Sequence, residues 1–314
     1  MKRMSFHHFG IKAFKKLRNL MMSEEIKSVG CFLEKLKQES SRIQQNIERN
    51  NEIPDGDKTT VKWFFRGQCN ATWELLPSLF REIESLGEIE KNIKRIQHSM
   101  WGTYFQEEQF LIQEAERFSP ENFASCKNDI SRMAVAQHYG IPTRLLDVSE
   151  NALVALYFAT ESFVTKKEGE EDGKVFVFRT SANDYKIAST GGKTKKVKIE
   201  KYHVNQNKTN RKPLFRKPTL FLPPFVTARQ KAQLGTFLFF ENDKAGNVIE
   251  MPENQVFGIK IPAASKKLIR DELETKCGIS EGTLFPDGLA SYKKRIVRDA
   301  EIRIEAELLL NTTT

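Results

Sequence analysis

Arg66 stands where an aromatic run, Val61-Lys62-Trp63-Phe64-Phe65, breaks into Gly67-Gln68. A guanidinium delivered from the end of a strand is planar and permanently charged. It can hold two oxygens at once, as in a pyrophosphate or a carboxylate. A glycine directly behind it lets the backbone bend closely around a ligand. The same placement also serves an arginine tied to a core carboxylate or to the carbonyls of a turn, and spacing alone leaves both readings open. A second group lies in AVAQHYGIPTRLLDVSENALVALYFAT (134–160), where His138, Arg144, Asp147, Ser149 and Asn151 fall between two apolar helices. A helix N-terminus presents free N–H groups and partial positive charge, so this link suits an anion. Equally, Asp147 or Ser149 could cap the following helix, Arg144 could pair with Asp147 as a structural link, and His138 could be a satisfied core histidine. A third group, Arg229, Gln230 and Gln233, precedes a strand that begins at Gly235. An amide there can bond a ribose or a base edge, or stabilise a turn.

The elements that must position these groups are read from periodicity. Residues 24–48 place Val29, Phe32, Leu33 and Leu36 at helical spacing, and NNEIPDGDK then closes the helix with turn chemistry. TVKWFF and GKVFVFR read as strands, as do TLFLPPF, GTFLFFE and NQVFGIKIP. Residues 77–101, 103–118, 126–139, 263–277 and 287–310 read as helices, and Ser149 opens another over NALVALYFATESF. IPTRLLDVS (141–149) reads as a connection. Helices dominate the first half and strands enclose the second without βαβ alternation, which favours α+β over a doubly wound sheet. Neither GxGxxG nor GxxxxGK[ST] occurs, so the usual phosphate cradles are absent.

Composition narrows the classes further. The chain has 314 residues, 39% of them hydrophobic and 29% charged, with no apolar run of membrane-spanning length. Its N-terminus is basic but lacks the apolar core and cleavage site of a secretory signal, and Met21 or Met22 offers an alternative start. Cys31, Cys69, Cys126 and Cys277 are scattered, without CxxC or a cysteine–histidine cluster. That points to a reducing cytoplasm and against a disulfide framework or a zinc site. Of the net charge of +9, a local +10 is concentrated in Lys186–Lys217, which holds eleven Lys or Arg and one acid, Glu200. Such density suits a phosphate backbone, and it also suits a solvated insertion.

Taken together, WFFRGQ with LLPSLFR, AQHYGIPTRLLDVSENALVALYFAT, RQKAQLGTF and LFPDGLASY resemble the FRG domain family, from about residue 26 to about residue 290. The family's pattern is similar to that of ADP-ribosyltransferases of the arginine-serine-glutamate type. The resemblance implies an α+β fold with an ADP-ribosyltransferase-like split β-sheet core, a helical first half and a basic insertion. It divides the chain into a basic arm (1–25) and an FRG domain (26–314) carrying the insertion 186–217. It implies NAD as co-substrate, bound by Arg66, Gly67, Gln68, Arg144, Ser149, Asn151 and Arg229, and no metal. The reaction centre would hold Arg66, His138, Asp147, Ser149 and Gln233. The family's late glutamate has no clean counterpart: Gln233 stands in the comparable place and Glu241 follows the strand, so Asp147 or Glu241 would supply the anion. The target would be a nucleic acid, held through Lys186–Lys217, or a protein, and the setting a bacterial toxin or phage-defence effector with a protein target or antitoxin partner and no membrane. Two other readings stay open: a metal-independent nuclease or nucleic-acid-binding module using His138, Arg144 and Asp147, and a non-catalytic sensor domain.

Overall fold

The computed structural model describes residues 26–49, 62–81, 103–126, 128–162, 164–165, 169–180, 185–187, 217–222, 227–241, 248–252 and 255–286. The N-terminal arm, the helix expected over 287–310 and residues 188–216 of the basic insertion lie outside them. So does the helix expected over 77–101 beyond Arg81; its described start is a single 3-10 turn, Ser78–Phe80.

Aromatic and β-branched runs become strands because they fit a pleated, half-buried surface. Strand β1 (Lys62–Gln68) enters the sheet first, followed by β2 (Leu145–Ser149). A separate two-stranded pair, β3 (Val164–Thr165) and β4 (Gly169–Glu170), precedes β5 (Gly173–Thr180). The set closes with β6 (Tyr185–Ile187), β7 (Thr219–Leu222), β8 (Gly235–Phe239) and β9 (Val256–Ile261). Seven of them form one sheet in the order β6-β7-β8-β2-β1-β5-β9. Among the described residues only the β6–β7 pairing is parallel.

Two expectations are corrected here. The segment read as a connection, IPTRLLDVS, contains β2, a central strand, and the helical first half therefore supplies the two middle strands of the sheet. Leu145, Leu146 and Val148 are all buried, because this short strand packs on both faces and so lacks the alternation that marks a half-exposed one. The next helix begins at Ala152 rather than Ser149, with Asn151 as its N-cap.

The middle of the sheet is loosely joined. β1 pairs with β5 over seven residues and β2 with β8 over five, but β1 and β2 meet only at Phe65↔Ser149. Residues paired across an antiparallel ladder point to the same side, so Phe65 and Ser149 share a face, and so does Leu145, four residues back along β2.

On that face two helical layers form. The helices are α1 (Val29–Arg49), α2 (Thr103–Phe118), α3 (Pro120–Phe123), α4 (Asp129–His138), α5 (Ala152–Ala159), α6 (Ala228–Ala232), α7 (Ala263–Cys277) and α8 (Glu281–Leu284). Phe32, Leu156, Ile269 and Leu273, from α1, α5 and α7, pack with Phe65, Val177 and Ile259. Ile112, Phe123, Ile130 and Met133, from α2 to α4, pack with Leu145, Phe237 and Phe239. Each such fully buried large side chain contributes about 1.5–3 kcal/mol. The opposite face is covered by a third cluster built on Phe64, Leu146, Val148, Phe178 and Leu238. The seam between the two helical layers runs along the β1–β2 gap.

Helix α5 is held unusually close to the sheet. A Cβ on Gly67 would lie 1.8 Å from the Ala155 carbonyl oxygen, and one on Gly173 would lie 2.0 Å from that of Ala159. Gly67 is therefore required by helix packing, which accounts for the Arg-Gly step without a ligand. No described helix is long and apolar enough to cross a membrane.

Candidate functional site

A cavity of about 310 Å³ opens on the seam, between α4 and α5 and over the β1–β2 gap. Its walls include Ala134, Gln137 and His138 from α4, and Val154, Ala155 and Phe158 from α5. Arg66, Gly67, Gln68, Cys69, Trp73 and Arg81 line it from β1 and the segment that follows, Asp147 and Ser149 from β2, and Thr227, Arg229 and Gln233 from around α6.

Arg66 leaves β1 where the pairing with β2 has ended, and its Nη1 donates to the Asp147 backbone carbonyl at 2.7 Å. Its Nε is buried and meets no hydrogen-bond acceptor among the described residues. Burial pulls the guanidinium down to about 10, against the attraction of the Asp147 carboxylate, and the nearby Arg81 charge adds to the lowering. Arg81, whose Nε donates to the Leu76 carbonyl at 3.1 Å, is also lowered by burial, with Asp147 opposing. Both remain cations at neutral pH. Two guanidiniums thus face one carboxylate, and an incoming anion would relieve an existing imbalance.

Asp147 is the exposed residue in an otherwise buried strand, because its side chain opens into the cavity. Gln137 Nε2 donates to its Oδ2 at 2.6 Å. The Gln137 oxygen in turn accepts from the Thr143 hydroxyl at 2.6 Å.

Residues 61–168 match the family model of the FRG domain. This chain carries an FRG domain. No curated protein and no solved structure matches the chain. The matched FRG segment contains β1, β2, α4 and α5, so it supplies Arg66, Arg81, Gln137, His138, Asp147 and Ser149. Arg229 and Gln233 reach the same cavity from outside the match.

The cavity brings together Arg66, Gly67, Gln68, His138, Asp147, Ser149, Arg229 and Gln233 from among the expected site residues. Several are engaged structurally. Ser149 Oγ donates to the Gln233 carbonyl at 2.7 Å and accepts from Asn151 N–H at 2.9 Å. Gln233 Nε2 donates to the Leu284 carbonyl at 3.1 Å. Arg229 stacks on the Phe285 ring, 4.4 Å from its centroid, and Phe285 meets Phe158 edge-on. Gln68 is buried, with Nε2 donating to the Glu74 carbonyl at 3.3 Å. His138 ends α4 with its ring edge-on to Tyr139.

Arg144 and Asn151 do not line the cavity. Arg144 is fully buried, with its Nε 2.7 Å from Glu108 Oε2 and its backbone N–H 2.8 Å from Oε1. It pairs with Glu108 rather than Asp147, since its side chain lies inside the core against the Phe239 ring. The trio His138, Arg144 and Asp147 is therefore not assembled. Asn151 Oδ1 accepts from Leu153 N–H at 2.9 Å, so that side chain is a helix cap. Glu241 is buried outside the cavity lining.

Arg81, Gln137, Trp73, Phe158 and Glu161 line the cavity without having been singled out in the sequence. Arg81 was within reach, as the arginine that ends LLPSLFR. Glu161 brings a second carboxylate to the wall, immediately after α5. Burial pushes the Cys69 thiol up, so it stays protonated at neutral pH. Among the described residues no group of three or more His, Cys, Asp or Glu is placed to hold a metal.

Proposed function

We propose that this cavity binds NAD and that the protein is an NAD-dependent ADP-ribosyltransferase acting on a nucleic-acid or protein target. One observation carries the reading: the Arg66 guanidinium sits inside a cavity, tied to a carbonyl oxygen rather than a carboxylate, with Arg81 beside it. Two cations that share one carboxylate suit the two negative charges of a pyrophosphate, and planar guanidiniums match its paired oxygens. Phe158 and Trp73 add flat apolar surface for an aromatic ring.

NAD supplies an ADP-ribosyl group joined to a cationic nicotinamide leaving group. Breaking that bond places positive charge on the ribose, and a fixed anion beside it stabilises the transition state. Asp147 is the carboxylate best placed for this role, since it opens into the cavity next to both arginines, and Glu161 is the other anion on the wall. Gln233 contributes no charge. Its amide holds the α6–β8 turn against the last residue of α8.

The test is nicotinamide release from NAD by purified protein, with and without RNA, DNA or a protein mixture, beside calorimetric titration of NAD. Binding together with release that requires Arg66 supports the proposal. A wild-type protein that neither binds NAD nor releases nicotinamide under any of these conditions overturns it.

A further inference from the structure

We infer that Gln137 is a positioning residue, its amide polarised by Thr143 so that Asp147 receives a hydroxyl of a sugar phosphate whose phosphate rests on Arg66 and Arg81. The inference rests on the proposed reading of the cavity and assigns the hydroxyl-recognising part of it.

The polarity of the chain follows from its atoms. A threonine hydroxyl has one proton to give. Thr143 Oγ1 already accepts from Leu145 N–H at 3.2 Å, and its proton goes to Gln137 Oε1 at 2.6 Å. With its oxygen occupied, the carboxamide turns its NH2 to Asp147 Oδ2 at 2.6 Å. Thr143 is itself fully buried and fixed by the 3-10 turn: its N–H donates to Ser78 Oγ at 3.3 Å, and its carbonyl accepts from Leu79 N–H at 3.3 Å. Asp147 is thus held at both ends, through Oδ2 by Gln137 and through its backbone oxygen by Arg66. Among the described residues no donor reaches Oδ1. A carboxylate fixed on one oxygen, with the other unused in a cavity, is an acceptor for a ligand O–H. The cations alongside call for an anionic group on the same ligand. A sugar phosphate carries both.

The charged and titratable groups around Asp147 are Arg66 from β1, Cys69 just after it, Arg81 after the 3-10 turn, His138 from α4, Glu161 after α5, and Arg229 from α6. Replacing Gln137 by glutamate adds a carboxylate directly against Asp147. Two carboxylates in hydrogen-bond contact share one proton, so the pair gains a titration step well above the ordinary carboxylate range.

Binding of ribose 5-phosphate, inorganic phosphate and NAD is measured for wild type, Gln137→Leu, Thr143→Val and Gln137→Glu, with carboxyl NMR titrations of the unliganded proteins. Gln137→Leu should weaken ribose 5-phosphate about 10-fold, as expected for one misoriented polar contact, and leave inorganic phosphate within about twofold. Thr143→Val should move affinity in the same direction by a smaller factor. Gln137→Glu should show the raised titration step, and its ribose 5-phosphate affinity relative to wild type should recover as the pH falls through that step. Equal losses for ribose 5-phosphate and inorganic phosphate, or a glutamate variant without the raised step, overturn the inference. A wild-type protein that binds ribose 5-phosphate but not NAD leaves it standing and removes the NAD reading instead.

Discussion

Arg66 lies on β1 and Arg144 immediately precedes its neighbour β2, and the two meet opposite fates. Arg144 has its counter-ion: Glu108 takes its Nε and its backbone N–H, and both side chains are shut off from water. Arg66 has a carbonyl oxygen where Arg144 has a carboxylate, and it stands in an open cavity with its charge disfavoured. A buried cation that has its counter-ion belongs to the fold. One held without direct contact to a carboxylate, beside a second cation, suits an arriving anion, as the proposed function requires.

The largest effect should come from breaking the buried ion pair. Glu108→Ala leaves the Arg144 charge buried without its counter-ion, which costs about 3–5 kcal/mol, read as a loss of denaturant stability. A loss below about 1 kcal/mol would mean that water reaches Arg144, and the contrast between the two arginines would collapse. Arg66→Ala should do the reverse. Stability should change little, because the substitution removes a desolvated charge, while NAD binding or turnover falls by about 100-fold or more. Arg66→Lys should restore only a fraction, since an ammonium offers no planar fork. A strongly destabilised Arg66→Ala protein that binds NAD normally would put Arg66 in the same class as Arg144.

The two arginines also show what a sequence can and cannot disclose. Arg66 was legible as a candidate because its signal is local: an aromatic strand, then arginine, then glycine. Asp147, Ser149 and His138 were legible as a cluster for the same reason. Arg144 looked equivalent to them, yet its partner Glu108 lies on a helix that nothing in the intervening sequence marks as adjacent. Gln137 carries no local signal, because its hydrogen bonds join Thr143 and Asp147 across a helix–strand junction. The α+β class followed from the order of elements, whereas the middle of the sheet did not, since β2 is short and buried on both sides. In the sequence Gly67 signals freedom to approach a ligand, and the packed helix α5 explains it instead.

Ser149 gives a test of intermediate size. It shares the cavity with Asp147 but, like Arg144, is engaged by the fold, bridging the Gln233 carbonyl and the Asn151 N–H. Ser149→Ala should cost about 1–3 kcal/mol of stability, the penalty for a buried polar group left without its partner. The affinity of the remaining folded protein for inorganic pyrophosphate should stay within about threefold. A large loss of pyrophosphate affinity at unchanged stability would instead make Ser149 a ligand contact.

The smallest effect lies in the pH dependence of anion binding, and it addresses Arg66 alone. With its guanidinium pulled down to about 10, Arg66 is fully charged through the neutral range, so its contribution to pyrophosphate affinity should be flat from pH 7 to about 9. A bound anion stabilises the charged form, which places the value in the complex above that of the free protein. Between the two values the free protein has given up a proton that the complex still holds, so apparent affinity must fall as pH rises through 10. At pH 11, about one unit above the free-protein value, the loss should be about tenfold. Surface lysines titrate in the same range, so the quantity to measure is the affinity ratio of wild type to Arg66→Ala across pH 7–11. That ratio should decline above pH 9.5 if Arg66 is the desolvated cation in the cavity. A ratio that stays constant to pH 11 would mean that water or a counter-ion already compensates Arg66, as Glu108 compensates Arg144.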